Sequence, residues 1–78
     1  MEKSQHSNGY HRLLLELKLA RVRAGLSQAA AAEKLCAYKT YVSKIEQGER
    51  KVDVVELADL CKAYGLTVSQ MLKSAGIE

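Results

Sequence analysis

The chain has no proline, tryptophan or phenylalanine, and two cysteines among its 78 residues. Its core must therefore be filled by aliphatic side chains and four tyrosines. Two cysteines, Cys36 and Cys61, are too few for a disulfide framework, and a reduced cytoplasmic protein is the simpler expectation. No run of roughly 18 apolar residues is present, so no transmembrane helix is expected. The N-terminal residues are polar and lack the apolar segment of a secretory signal. No stretch alternates apolar and polar residues as a half-buried strand does. No CxxC, HExxH, glycine-rich phosphate loop or triad-like set occurs, so an enzyme is not expected. His6 and His11, with Cys36 and Cys61 far away in sequence, make no metal-site pattern. No cofactor, metal or small-molecule ligand is expected.

What is present fits one small domain, near the lower size limit for folding without disulfides or metal. The hydrophobic content of 47% suffices for a small core. The net charge of +3 is unevenly spread. Residues 1–25 carry five Lys/Arg against two Glu, residues 26–51 five against three, and residues 52–78 two against four Asp/Glu. An acidic partner would meet the first two thirds of the chain.

Residues 1–9 have no periodicity and read as a flexible N-terminal arm, leaving 10–78 as the folded domain. Gly25, Gly48, Gly65 and Gly76 each follow a helix-like segment, where a left-handed residue is wanted. The spacing predicts a first helix over 10–24. Ser27 can cap a second over 28–35. A third spans 39–47. Asp53 with Glu56, and Thr67 with Gln70, have capping-box spacing for a fourth helix ending near Tyr64 and a fifth ending near Ala75. The fold class is all-α, five short helices. On the fourth, Val54, Leu57, Ala58, Cys61 and Tyr64 form the expected buried stripe, with Cys61 a small core residue.

The third helix separates its faces. At about 100° per residue from Lys39, residues Ser43, Gln47, Thr40 and Lys44 fall within roughly 0–140°, while Ile45 and Val42 lie near 240° and 300°. Tyr41 and Glu46 mark the boundaries. Lysine can donate to guanine O6 and N7, and threonine can bond a base edge or touch a thymine methyl. The arc suits a helix laid in the DNA major groove, with Lys39 and Thr40 at the end that enters first. A solvated surface face would show the same pattern.

The segment from about Leu17 to Leu72, in which Arg21 leads by five residues into Leu26-Ser27-Gln28, resembles the lambda-repressor/Cro-like (XRE) helix-turn-helix family. The matching positions are Arg21, Leu26, Ser27, Gln28, Ala32, Leu35, Val42, Ile45, Glu46, Gly48, Leu57, Gly65 and Leu66. The run from Tyr41 to Arg50 is a particularly close match. The resemblance implies a lambda-repressor-like domain whose helices 2 and 3 form the helix-turn-helix. It implies sequence-specific binding of double-stranded DNA by a small transcriptional regulator acting as a repressor. It implies base reading by Lys39, Thr40, Ser43 and Lys44. It puts Gln28, Tyr41, Gln47, Arg50 and Lys51 at the phosphate backbone, with Gln28 also supporting Lys39. Arg50 could also reach a base. It implies that Arg21 pairs with Glu46 and that Ala32 is the small residue where helices 2 and 3 cross.

The chain departs from the family at four places. Ala31 stands where a large aliphatic is usual, leaving space for Tyr38 or Tyr64. Cys36 replaces a turn glycine, so it either adopts a left-handed conformation or lengthens the connection. Tyr38 replaces the usual Ser/Thr cap, so Thr40 either caps the reading helix or reads a base. Leu13, Leu14, Leu15, Leu17 and Leu19 cover more than one face of the first helix, and Val68, Met71, Leu72 and Ile77 supply a second apolar set. Relatives commonly dimerise through the last helix, so a homodimer on a palindromic operator is expected. Its reading helices would lie about 34 Å apart. The alternative function is a helical protein-interaction module or antitoxin-type partner in which DNA binding is secondary or lost. Phage regulator and restriction–modification controller remain equally open contexts.

Overall fold

Capping chemistry sets most of the element boundaries in the computed structural model, which describes residues 8–77. Helix α1 is Asn8–Arg23, α2 Gln28–Lys34, α3 Tyr41–Glu46, α4 Val54–Tyr64 and α5 Val68–Ser74. Ser27 accepts the Ala30 amide at 3.0 Å and starts α2. Asp53 and Glu56 exchange bonds reciprocally ahead of α4, at 2.7 and 3.1 Å. Thr67 and Gln70 do the same ahead of α5, at 3.0 and 2.8 Å. Each cap satisfies amides that the first helical turn leaves unpaired. Gly65 closes α4 at φ 83°, where a Cβ would be strained.

Two boundaries and one buried face differ from expectation. Helix α1 begins two residues before Tyr10, so residues 8 and 9 are helical, and the rest of the expected arm, residues 1–7, lies outside the described residues. Helix α3 begins at Tyr41 rather than Lys39. Lys39 and Thr40 occupy a turn closed by the Tyr41 amide on the Tyr38 carbonyl at 3.0 Å. On α4, the expected stripe is displaced. Leu57, Leu60, Cys61 and Tyr64 are buried, whereas Val54 is 79% exposed and Ala58 is exposed. Leu57 begins the buried face, and Leu60, i+3 from it, takes the core position expected of Ala58. Val54 is the first residue of α4.

Helix α1 is the hub, packing against α3, α4 and α5, while α2 pairs with α3 and α4 with α5. Leu17, Val42, Ile45, Leu60, Cys61 and Met71 are the largest fully buried side chains. Each large aliphatic buried this way contributes on the order of 1.5–3 kcal/mol. Of the leucine cluster, Leu13, Leu14 and Leu17 enter the core and Leu15 stays exposed. Ala31 and Ala32 are buried, which lets α2 lie close to α3. Tyr64 is buried, but Tyr38 stays 53% exposed and does not fill the core beside Ala31. Two polar ties hold α1 at its outer edges: the Tyr10 hydroxyl accepts the Val52 amide at 3.2 Å, and Arg12 Nε donates to the Ala75 carbonyl at 2.8 Å.

Candidate nucleic-acid interface

Val42 and Ile45 fasten α3 to the body, and both are almost wholly buried. That fixes which arc of the helix looks outward. Lys44 and Gln47 are exposed on that arc, Gln47 as the residue closing α3. Ser43 is half-buried, and its hydroxyl donates to the Thr40 carbonyl at 3.0 Å. Lys39 and Thr40 are also exposed, but on the preceding turn. Thr40 holds the cap position at φ −96°, ψ 7°, and its side chain makes no capping bond. Its hydroxyl is therefore not taken up by the helix end.

A buried ionic junction fixes the orientation of α3. Arg21 Nε donates to Glu46 Oε2 at 2.7 Å and Arg21 Nη2 to Glu46 Oε1 at 3.2 Å. Arg21 Nη1 donates to the Leu26 carbonyl at 2.8 Å, tying in the connection before α2. The hydrogen bonds to Glu46 raise the Arg21 pKa above its ordinary value, outweighing the opposing effect of burial. Gln28 completes the junction from α2, with Nε2 donating to Glu46 Oε1 at 2.9 Å. Gln28 thus supports Glu46, not Lys39. One carboxylate at the end of α3 receives bonds from α1 and from α2.

Besides Gln28, two more residues expected toward a DNA backbone are engaged within the protein. Tyr41 is 9% exposed, with the Arg50 guanidinium carbon 5.1 Å from its ring centroid. Arg50 is also ion-paired with Glu56 at the start of α4. Its Nε is buried without a hydrogen-bond partner. Burial pushes the Tyr41 hydroxyl pKa up. Lys51, by contrast, is exposed beside a groove of about 630 Å³ between α1 and the α3–α4 connection, lined in part by His11, Leu15, Lys18, Gln47 and Glu49. The sequence reading missed the Arg50–Glu56 pair. Glu56 was legible only as a capping-box residue, and its second oxygen is what Arg50 meets.

The turn between α2 and α3 resolves the question posed by Cys36. It adopts φ 56°, the left-handed conformation usually left to glycine. The Ala37 amide returns to the Ala32 carbonyl at 2.9 Å and closes the end of α2.

Two short helices joined by this turn, the second carrying an exposed polar face, match known proteins over most of the chain. The family model for the helix-turn-helix domain matches residues 12–72. The chain belongs to the helix-turn-helix family of DNA-binding transcriptional regulators. It is also 35% identical over 54 residues to the control protein C.MunI of a Mycoplasma species, covering 69% of this chain and 73% of that protein. This family is one of DNA-binding regulators and not an enzyme class. Among the described residues, no helix is long and apolar enough to cross a membrane.

Proposed function

We propose that this helix-turn-helix regulator binds a specific duplex sequence by laying α3 in the major groove and acts as a repressor. Lys44 and Ser43 on the helix, with Lys39 and Thr40 on the turn before it, read bases. Gln47 and Lys51 meet the phosphates on either side. Gln28 and Tyr41 contribute chiefly by holding α3, and Arg50 reaches a phosphate by exchanging Glu56 for it. The observation that carries this reading is the outward polar set, Lys39, Thr40, Lys44 and Gln47, on a segment anchored by Val42, Ile45 and the Arg21–Glu46 pair.

The protein acts as a homodimer on a palindromic operator, its reading helices one DNA turn apart, about 34 Å. Support comes from apolar side chains left in water: Leu15 and Val22 on α1, Val54 and Val55 on α4, and Ile77 after α5. A control function like that named for the Mycoplasma relative fits the same reading. A DNA partner fits the cytoplasmic location expected from the sequence.

Selection of bound duplexes from a random library, followed by titration of the selected duplex at two salt concentrations, tests the proposal. A palindromic motif, and affinity falling steeply with salt as phosphate contacts release counterions, is the expected result. Recovery of no motif, with salt-independent binding or none, would turn the assignment toward a protein-interaction module.

A further inference from the structure

The exposed ring of Tyr38 stands out because nothing in the core accounts for it. It immediately precedes Lys39 and Thr40, and 53% of its surface is in water. Yet it is not free to wander. Its ring meets the Tyr41 ring edge-on, with centroids 5.7 Å apart and planes at 77°. Tyr41 is itself buried and has Arg50 against its face. Arg50 in turn is held by Glu56. Four residues thus form one series from the outer turn to the start of α4, and Tyr38 is its outermost member.

We propose that Tyr38 is a further DNA-backbone contact, its hydroxyl donating a hydrogen bond to a phosphate beside the bases met by Lys39 and Thr40. The inference rests on the groove placement of α3 given above. Tyrosine hydroxyls are established donors to phosphate oxygens in protein–DNA interfaces. A donor whose ring is already seated on Tyr41 loses little side-chain freedom on binding. Lys39 beside it makes the surroundings favourable to an anion. The hydroxyl carries no charge, so it adds affinity without adding an ion pair. A phosphate is common to every sequence, so it adds no base preference.

The test is Tyr38→Phe in the full chain, which removes one oxygen and keeps the ring against Tyr41. Affinity is measured for the duplex selected from the random library and for a scrambled duplex of equal length, at two salt concentrations, alongside a melting curve. The variant is expected to bind both duplexes about tenfold more weakly, as befits a lost hydrogen bond to a charged acceptor. Its motif, melting temperature and salt slope stay those of the parent, because a neutral donor releases no counterion. Affinity within about twofold of the parent overturns the contact and leaves Tyr38 as packing for Tyr41. A changed preference at a single base pair also overturns it, in favour of base reading. Failure of the parent chain itself to bind either duplex sinks the groove placement first, and is told apart by that control.

Discussion

Removing the arginine of the buried junction should unfold the reading helix from its scaffold before it touches any DNA contact. Arg21 is 8% exposed and makes three hydrogen bonds, two to Glu46 and one to the Leu26 carbonyl. In Arg21→Ala the Glu46 carboxylate, with its side chain 6% exposed, keeps only the Gln28 amide. An uncompensated buried charge costs about 3–5 kcal/mol, against about 1 kcal/mol or less for a pair on the surface. Partial access of water to the cavity favours the lower end, about 3 kcal/mol. A domain of this size moves by about 4–8 °C in Tm per kcal/mol, so the fall is on the order of 12–24 °C. Glu46→Ala strands the guanidinium instead and should cost a similar amount. The double variant Arg21→Met/Glu46→Leu removes both charges and should recover most of the loss, since apolar replacement of a buried pair is often neutral. Urea unfolding of the parent, Arg21→Met, Glu46→Leu and the double variant closes the cycle. Single variants within about 1 kcal/mol of the parent, or a double variant whose loss is simply additive, would refute the account of the junction.

Three further outcomes are expected. Lys44→Ala should cost about 1–3 kcal/mol at one base pair and relax preference there, whereas Gln28→Ala should weaken all sequences alike and lower stability by about 1 kcal/mol, readable by repeating the library selection with a melting curve. Cys36→Gly should raise the urea midpoint, because relief of the left-handed strain of about 1–2 kcal/mol exceeds the added backbone entropy of about 0.5–1 kcal/mol; a lower midpoint would show the turn is unstrained. Tyr64 is buried, and burial, followed by the nearby Glu46 charge, pushes its hydroxyl from 10.0 up to about 12. The folded state therefore holds this proton more tightly. Its contribution is whole below pH 10 and is lost as pH climbs through 12, up to about 3 kcal/mol. Tyr64→Phe should blunt that alkaline loss, leaving a remainder from Tyr41, whose pKa is also raised by burial.

The helix count, the three side-chain caps and the anchoring of α3 by Val42 and Ile45 could be read from local spacing, because each depends on residues within one or two turns. The start of α3 could not. Periodicity carries through Lys39 and Thr40, but the chain there is a turn, and only tertiary placement of Tyr41 decides where the helix begins. The buried face of α4 escapes local pattern for the same kind of reason. Val54 and Leu57 have the same helical spacing as Leu57 and Leu60, and which pair is covered is set by tertiary packing on α1 and α5. The partner of Gln28 lies on another helix, and so does the partner of Arg50; neither pairing leaves a trace in local pattern. The family resemblance supplied the Arg21 and Glu46 positions, which composition alone would have left as two separate charges.

The conformation of Cys36 also has a practical consequence. Its thiol is exposed on the turn leading to Tyr38 and α3, while the second cysteine of the chain, Cys61, is fully buried with its pKa raised by that burial. A maleimide dye should therefore label the folded protein once, at one known point two residues ahead of the outermost aromatic ring. The parent sequence thus comes with its own attachment point for a fluorescence or spin reporter, placed to sense the approach of a duplex without any cysteine having to be engineered.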